Sequence, residues 1–238
     1  MKFFAILGPA TFAAVAALPA HAAGTFPVPE GCTAYATVQQ RNCQISQHYS
    51  CDADPRGYQW MTYLDGQGPY FSSQIDRETR WVESIDLYSG ETDRLQDETD
   101  PASFTVLLQS GRDDFDFTTV ASSGEVRRYK GFDQLTGERV TIDGVPLERT
   151  RFELTAYGAD GAQIWRRAGN QLIHREWRLF YSDREEFTNT AGDRENRIDT
   201  PVEFSFPGDE GFLSADPKFD CDVVTARADT RLLMQVDP

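Results

Sequence analysis

The sequence predicts a mainly β protein with a single antiparallel, curved sheet, either half-barrel or sandwich-like, and one short α-helix. Polar and apolar residues alternate with a period of two along much of the chain, and glycine-containing turn signals separate the alternating segments. Strands with one buried and one solvent-exposed face are typical of antiparallel sheets, in which short hairpins join neighbouring strands. We therefore expect one β domain over residues 23–238, preceded by a signal peptide.

Residues 1–22 have the pattern of a signal peptide. Lys2 gives a positive start, an apolar run follows from Phe3 to Leu18, and Ala20-His21-Ala22 supplies the small residues that precede a cleavage site. The run is shorter than the roughly twenty residues that a membrane-spanning helix needs. We expect cleavage after Ala22 and a secreted or periplasmic mature chain without a membrane span.

Three intervals show the strand alternation most clearly. In 151–157, Phe152, Leu154 and Ala156 share one face, and in 202–206 the apolar residues Val202, Phe204 and Phe206 do the same. In 172–181, alternation places Ile173, Trp177, Leu179 and Tyr181 together. The predicted turns are Asp65-Gly66, Ser89-Gly90, Ser123-Gly124, Thr136-Gly137, Asp143-Gly144 and Asp160-Gly161.

One segment has a helical pattern instead. Asp100 is a suitable N-cap, Pro101 suits the first helical position, and Gly111 suits the C-terminal end. Phe104, Leu107 and Leu108 follow the i, i+3, i+4 spacing of one helical face. The pattern predicts a helix around residues 101–110, packed on the sheet or across one of its mouths.

Four cysteines in an exported chain predict two disulfides. A two-residue hairpin loop at 41–42 places Cys32 directly opposite Cys51, which leaves Cys43 to pair with Cys221. The pairing of Cys32 with Cys43 and of Cys51 with Cys221 stays open if residues 34–42 form a loop or a helix. In both cases we interpret the disulfides as structural.

The charge of the chain narrows its range of partners. A formal net charge of −15 repels phosphate backbones, so nucleic acid is a poor candidate partner. The same charge disfavours binding to anionic lipid surfaces. Its simplest interpretation is that it keeps an exported protein soluble.

Motifs of catalysis and metal binding are missing from the sequence. Beyond residue 22 the histidines are His48 and His174, both of which we interpret as lying on solvated strand faces. The chain has no HExxH, CxxC, GxSxG or SxxK motif and no glycine-rich phosphate loop. We therefore assign no catalytic residue, no metal ligand and no cofactor.

Acidic residues are the one abundant reactive group. On a strand, Asp114 and Asp116 would share a face about 7 Å apart, with Phe115 and Phe117 on the other face. Two such carboxyls could serve as acid and base in glycoside cleavage. Because the chain has 38 acidic residues, such pairs also arise by chance, and a solvated face is the preferred interpretation.

The aromatic residues favour a binding function. Most of them alternate with polar neighbours and are expected to fill the core, whereas Trp165 precedes two arginines and is the best candidate for an exposed ring. A curved sheet with one covering helix resembles the half-barrel carriers among exported bacterial proteins, an analogy of fold alone. We expect a non-enzymatic protein that binds an apolar small molecule or a cell-envelope component through Phe104, Leu107, Leu108 and Trp165. The alternatives are a carboxylate-dependent polysaccharide hydrolase and a structural module without ligand.

Overall fold

The computed structural model describes residues 24–221, so the predicted signal peptide lies outside the described residues. Within them, thirteen strands form one open antiparallel sheet with one short helix, as the alternation predicts. The order of strands across the sheet is β12-β11-β10-β9-β8-β7-β6-β5-β4-β3-β2-β1-β13. The elements are β1 Cys32–Gln40, β2 Gln44–Cys51, β3 Gln59–Asp65, β4 Gly68–Ile75, β5 Trp81–Asp86, β6 Thr92–Asp100, α1 Phe104–Ser110, β7 Arg112–Ala121, β8 Val126–Ile142, β9 Val145–Tyr157, β10 Gln163–His174, β11 Leu179–Asn189, β12 Arg194–Ile198 and β13 Pro201–Ser205.

The sheet curls so that its two ends approach each other. Its edge strands, β12 and β13, are consecutive in sequence and are joined by Asp199 and Thr200. Strand β13 pairs with β1 and also packs against β8 and β11. One core cluster consequently contains residues from both halves of the sheet, namely Val38, Met61, Ile75, Val145, Leu147, Leu172, Leu179, Tyr181 and Phe204.

The buried face predicted for 151–157 and all but one of the predicted turns are confirmed, whereas β13 ends at Ser205 and leaves Phe206 outside the strand. Phe152, Leu154 and Ala156 are buried on one face of β9, and the other predicted turns connect consecutive strands. Thr136-Gly137 is instead an irregularity within the long strand β8. The interval 172–181 is not one strand, because β10 ends at His174 and a turn leads into β11.

The helix is confirmed, but its start is corrected. Ser103 is the N-cap, and its side chain accepts a hydrogen bond from the Val106 N–H. Asp100, the predicted cap, remains in β6 and pairs with Asp116. Gly111 ends the helix in the left-handed conformation, as predicted.

Strands β1 and β2 are covered on both faces. Residues 206–220, which we call the C-terminal strap, pass over polar side chains of β1 and β2. From the alternation of polar and apolar residues alone, these side chains would be expected to face solvent. Gln47 donates to the Ser214 carbonyl at 2.6 Å, and the Leu213 N–H donates to the Thr37 hydroxyl at 2.8 Å. These bonds satisfy polar groups that the strap buries.

Both predicted disulfides are present. Cys32 is bonded to Cys51, and Cys43 is bonded to Cys221, which directly follows the strap. Two disulfides indicate an oxidising, extracellular compartment. Among residues 24–221, no helix has the length and apolar character that crossing a membrane would require.

Candidate functional site

Six aromatic side chains form a continuous row on one face of the sheet. Ring centroids lie 5.6 Å apart for Trp81 and Phe117, 5.2 Å for Phe117 and Tyr129, and 5.9 Å for Tyr129 and Trp165. We call this set the aromatic row; its members are Trp81, Phe115, Phe117, Tyr129, Trp165 and Phe187. They come from β5, β7, β8, β10 and β11.

Strand register explains why these rings meet. Phe117 pairs with Tyr129, Tyr129 pairs with Ala156, and Ala156 pairs with Trp165. Paired residues of antiparallel strands point to the same face. Because Ala156 is small, the rings of Tyr129 and Trp165 can meet above it.

The row is partly open to solvent. Trp81 is 42% exposed, Phe115 and Trp165 are half-buried, and the rings of Phe117, Tyr129 and Phe187 are buried beside them. Exposed large apolar side chains next to a buried apolar cluster are typical of binding surfaces.

Polar groups flank the row. Beyond Trp165, the Arg167 guanidinium lies 5.9 Å from the Trp165 ring and forms an ion pair with Glu185 at 2.9 Å. At another side of the row, the Thr119 hydroxyl donates to Asp93 at 2.9 Å. An apolar surface with a few fixed polar groups is suited to holding and orienting a mainly apolar molecule.

The sequence-predicted binding residues are not brought together. Trp165 belongs to the aromatic row, whereas Phe104 and Leu107 pack under α1 against Ile173 and are 1% and 0% exposed. Leu108 is half-buried beside them. In this structure the helix therefore covers a separate apolar cluster, and Phe104 and Leu107 present almost no surface to a ligand.

An acidic pair adjoins the row. Asp113 and Asp133 are direct partners on β7 and β8, on the same face as Phe115, Phe117 and Tyr129. Burial, together with the charges of Asp100, Asp114 and Glu78, raises the pKa of Asp113 to about 6, although the hydrogen bond from the Ser103 N–H acts in the opposite direction. Burial, together with the charge of Asp113, raises the pKa of Asp133 to about 7.

The acids singled out from the sequence lie on the opposite face. Arg112 donates to Asp114 at 2.5 Å, and this bond lowers the pKa of Asp114. Arg128 and Lys130 bind Asp116 at 2.6 and 2.9 Å, and the Arg128 bond is the main cause of its lowered pKa. Both carboxyls are therefore ionised and neutralised by cations.

A surface cleft lies on this opposite face as well. Its volume is about 470 Å³, and Thr118, Arg128, Lys130 and Tyr157 contribute to its lining. Because its two cations are already bound to Asp116, the cleft has little charge left to offer an anionic ligand.

The solvated-face interpretation of both histidines is wrong. His48 is buried in the core, where its Nε2 lies 2.9 Å from the Ser46 hydroxyl and burial lowers its pKa to about 3. His174 is buried because Trp177 folds back from the following turn and stacks on it at 3.8 Å. Across residues 24–221, no three His, Cys, Asp or Glu side chains are placed to hold a metal ion.

Comparisons with protein-family models, with curated proteins and with solved structures found no match.

Sequence reasoning missed Asp113 and Asp133, although a signal was present. Asp113 alternates in step with Phe115 and Phe117, so an acid stood on an otherwise apolar face. An acid in that position is desolvated, whereas Asp114 and Asp116 lie on the opposite face of the strand and face water. The rest of the row depends on register across several strands, for which the sequence has no local signal.

Proposed function

We propose that the protein is secreted or periplasmic and binds an apolar ligand, or an apolar part of a cell-envelope component, on the aromatic row without catalysing a reaction. The observation that carries this proposal is the unbroken series of ring contacts from Trp81 to Phe187, which includes partly exposed rings. Rings offer a large apolar contact area with few rotatable bonds, so little side-chain entropy is lost on binding. The two disulfides and the predicted signal peptide support export.

A titration with the uncharged fluorescent probe N-phenyl-1-naphthylamine tests this proposal. We expect saturable binding that Trp81→Ala weakens about tenfold, equivalent to roughly 1.4 kcal/mol of lost contact. Leu87→Ala is the matched control, because Leu87 is 41% exposed and does not belong to the row. Equal affinity in wild type and both variants would contradict binding on the row.

A hydrolase is the second candidate function, and the Asp113–Asp133 pair is the observation that favours it. Acid–base catalysis on a glycoside needs one protonated and one ionised carboxyl, and raised pKa values near neutrality allow that combination. Asp114 and Asp116 do not offer it, because both are held ionised by arginine. A glycosidase panel should show no turnover; turnover that is lost in Asp133→Asn but kept in Asp114→Asn would favour the hydrolase.

A further inference from the structure

Two carboxylates hold the N-terminus of α1, and they differ in their surroundings. Asp113 accepts a hydrogen bond from the Ser103 N–H at 2.8 Å. Glu78 accepts from the Thr105 N–H at 2.8 Å and from the hydroxyls of Thr105 and Ser103 at 2.7 and 3.0 Å. Glu78 is also paired with Arg178 at 2.8 Å.

Asp113 has an acidic partner instead of a cation. Asp133 lies directly opposite it on β8, and the Cβ atoms of such cross-strand pairs are about 5 Å apart. Within residues 24–221, neither carboxyl forms an ion pair with Lys, Arg or His.

The other charges near this pair are mostly negative. Asp100 on β6, Glu78 in the loop after β4 and Asp114 on the opposite face of β7 all raise the pKa of Asp113. The two nearby cations are already engaged, Arg112 with Asp114 and Arg178 with Glu78. On β9, the partner of Asp133 is Phe152, which has no charge. A second negative charge on the pair therefore has no counter-charge to stabilise it.

We propose that Asp113 and Asp133 form a pH-sensitive clamp on α1, in which a proton bound to one of the two carboxyls keeps the helix packed on the sheet and its loss above neutral pH loosens the helix. While one carboxyl is protonated, the pair carries at most one negative charge, and Asp113 can still accept from the Ser103 N–H. When both are ionised, they repel each other and draw in water. The pKa values near 6 and 7 place this change close to neutral pH.

Loosening of α1 has a defined structural consequence. The helix buries Phe104 and Leu107 against Ile173, with Leu135 and Phe180 at the border of the cluster. Movement of the helix would expose this second apolar surface, which is separate from the aromatic row. The inference is therefore independent of the function proposed for the row.

Hydrogen exchange measured by mass spectrometry on the full chain tests the clamp. After correction for intrinsic exchange, we expect protection of residues 104–110 to fall about tenfold or more between roughly pH 5.5 and pH 8.5. Residues 145–157 in β9 serve as the internal reference and should change little. The fall should be absent in Asp133→Asn and unchanged in Asp114→Asn, whose carboxyl is exposed and bound to Arg112.

Three results would overturn the clamp. They are constant protection of the helix in the wild type, an equal loss in β9 and in the helix, and an undiminished loss in Asp133→Asn. If Asp133→Asn does not fold, Asp113→Asn replaces it, because the amide oxygen of Asn still accepts from the Ser103 N–H.

Discussion

A bulge at Tyr35 brings Cys32 directly opposite Cys51. The loop between β1 and β2 contains three residues, Arg41, Asn42 and Cys43, instead of the predicted two, so Gln40 pairs with Gln44. This register alone would offset the two cysteines by one residue. Tyr35 is the extra residue on β1, and past it the register shifts back so that Cys32 meets Cys51. The bulge therefore restores the register that places the two cysteines opposite each other, and the disulfide can form between paired strands.

The two disulfides should contribute unequally to stability. Cys43–Cys221 closes a separation of 178 residues and Cys32–Cys51 one of 19. Restriction of the unfolded chain predicts about 5 kcal/mol for the long closure and about 3 kcal/mol for the short one. Urea unfolding of the Cys43→Ala/Cys221→Ala and Cys32→Ala/Cys51→Ala variants measures both losses. A larger loss for the short closure would show that native contacts, not chain entropy, dominate.

Gly131 should not tolerate a side chain. A Cβ at this position would clash with the Glu153 carbonyl oxygen and would lie 2.8 Å from the Phe115 ring. We expect Gly131→Ala to lower the free energy of unfolding by about 3 kcal/mol, in the range of overpacked sites. Gly66→Ala is the control, because a Cβ there meets only Cys43 Sγ at 4.0 Å. Equal stability of the two variants would show that β8 and β9 make room for the added methyl group without a loss of free energy of unfolding.

Ser103, and not Asp100, should stabilise α1 as its N-cap. Ser103→Ala removes the acceptor for the Val106 N–H and should cost about 1 kcal/mol. Asp100→Ala should cost much less, because Asp100 is exposed at the end of β6. Thermal unfolding of both variants gives the comparison, and a larger effect at Asp100 would contradict the cap assignment.

The acidic pair should make stability fall as pH rises. Burial raises the pKa values of Asp113 and Asp133, so both carboxyls bind protons more tightly in the folded state than in the unfolded chain. Their stabilising contribution is complete below about pH 4 and is lost as the pH rises through about 7. His48 acts in the opposite direction, because burial lowers its pKa, and so the test must compare variants.

The useful quantity is the difference in free energy of unfolding between the wild type and Asp133→Asn. We expect this difference to shift against the wild type between about pH 5 and pH 8, since unfolding of the wild type releases the proton of Asp133 in this range and the variant has no carboxyl at that position. Asp114→Asn should show the opposite trend at more acidic pH, because the hydrogen bond from Arg112 lowers the pKa of Asp114. A constant difference across this range for Asp133→Asn would contradict the raised pKa.

Local patterns made much of the fold predictable. Alternation identified the buried face of β9, and the apolar spacing with Gly111 identified the helix and its end. The start of the helix was missed because Asp100 and Pro101 are equally suited to a strand end. Whether this segment ends a strand or begins a helix depends on the pairing of Asp100 with Asp116 in the folded sheet.

Long-range packing could not be predicted in the same way. Gln39 and Gln47 are buried because a strap from more than 160 residues further along the chain covers them. His48 is buried because the curl of the sheet brings Tyr181 to 5.5 Å from its ring. The aromatic row depends on the same kind of information, since its members meet only when the seven neighbouring strands from β5 to β11 adopt one register.

The proposed function requires an apolar ligand to bind on the aromatic row. The most direct measurement is photo-crosslinking with an uncharged fatty alcohol that carries a diazirine on its chain, followed by peptide mapping. Labels on peptides that contain Trp81, Phe117, Tyr129 or Trp165, reduced in Trp81→Ala and retained in Leu87→Ala, are the predicted result. Labels confined to exposed apolar residues elsewhere, such as Val106 on α1 or Ile198 on β12, would contradict the account.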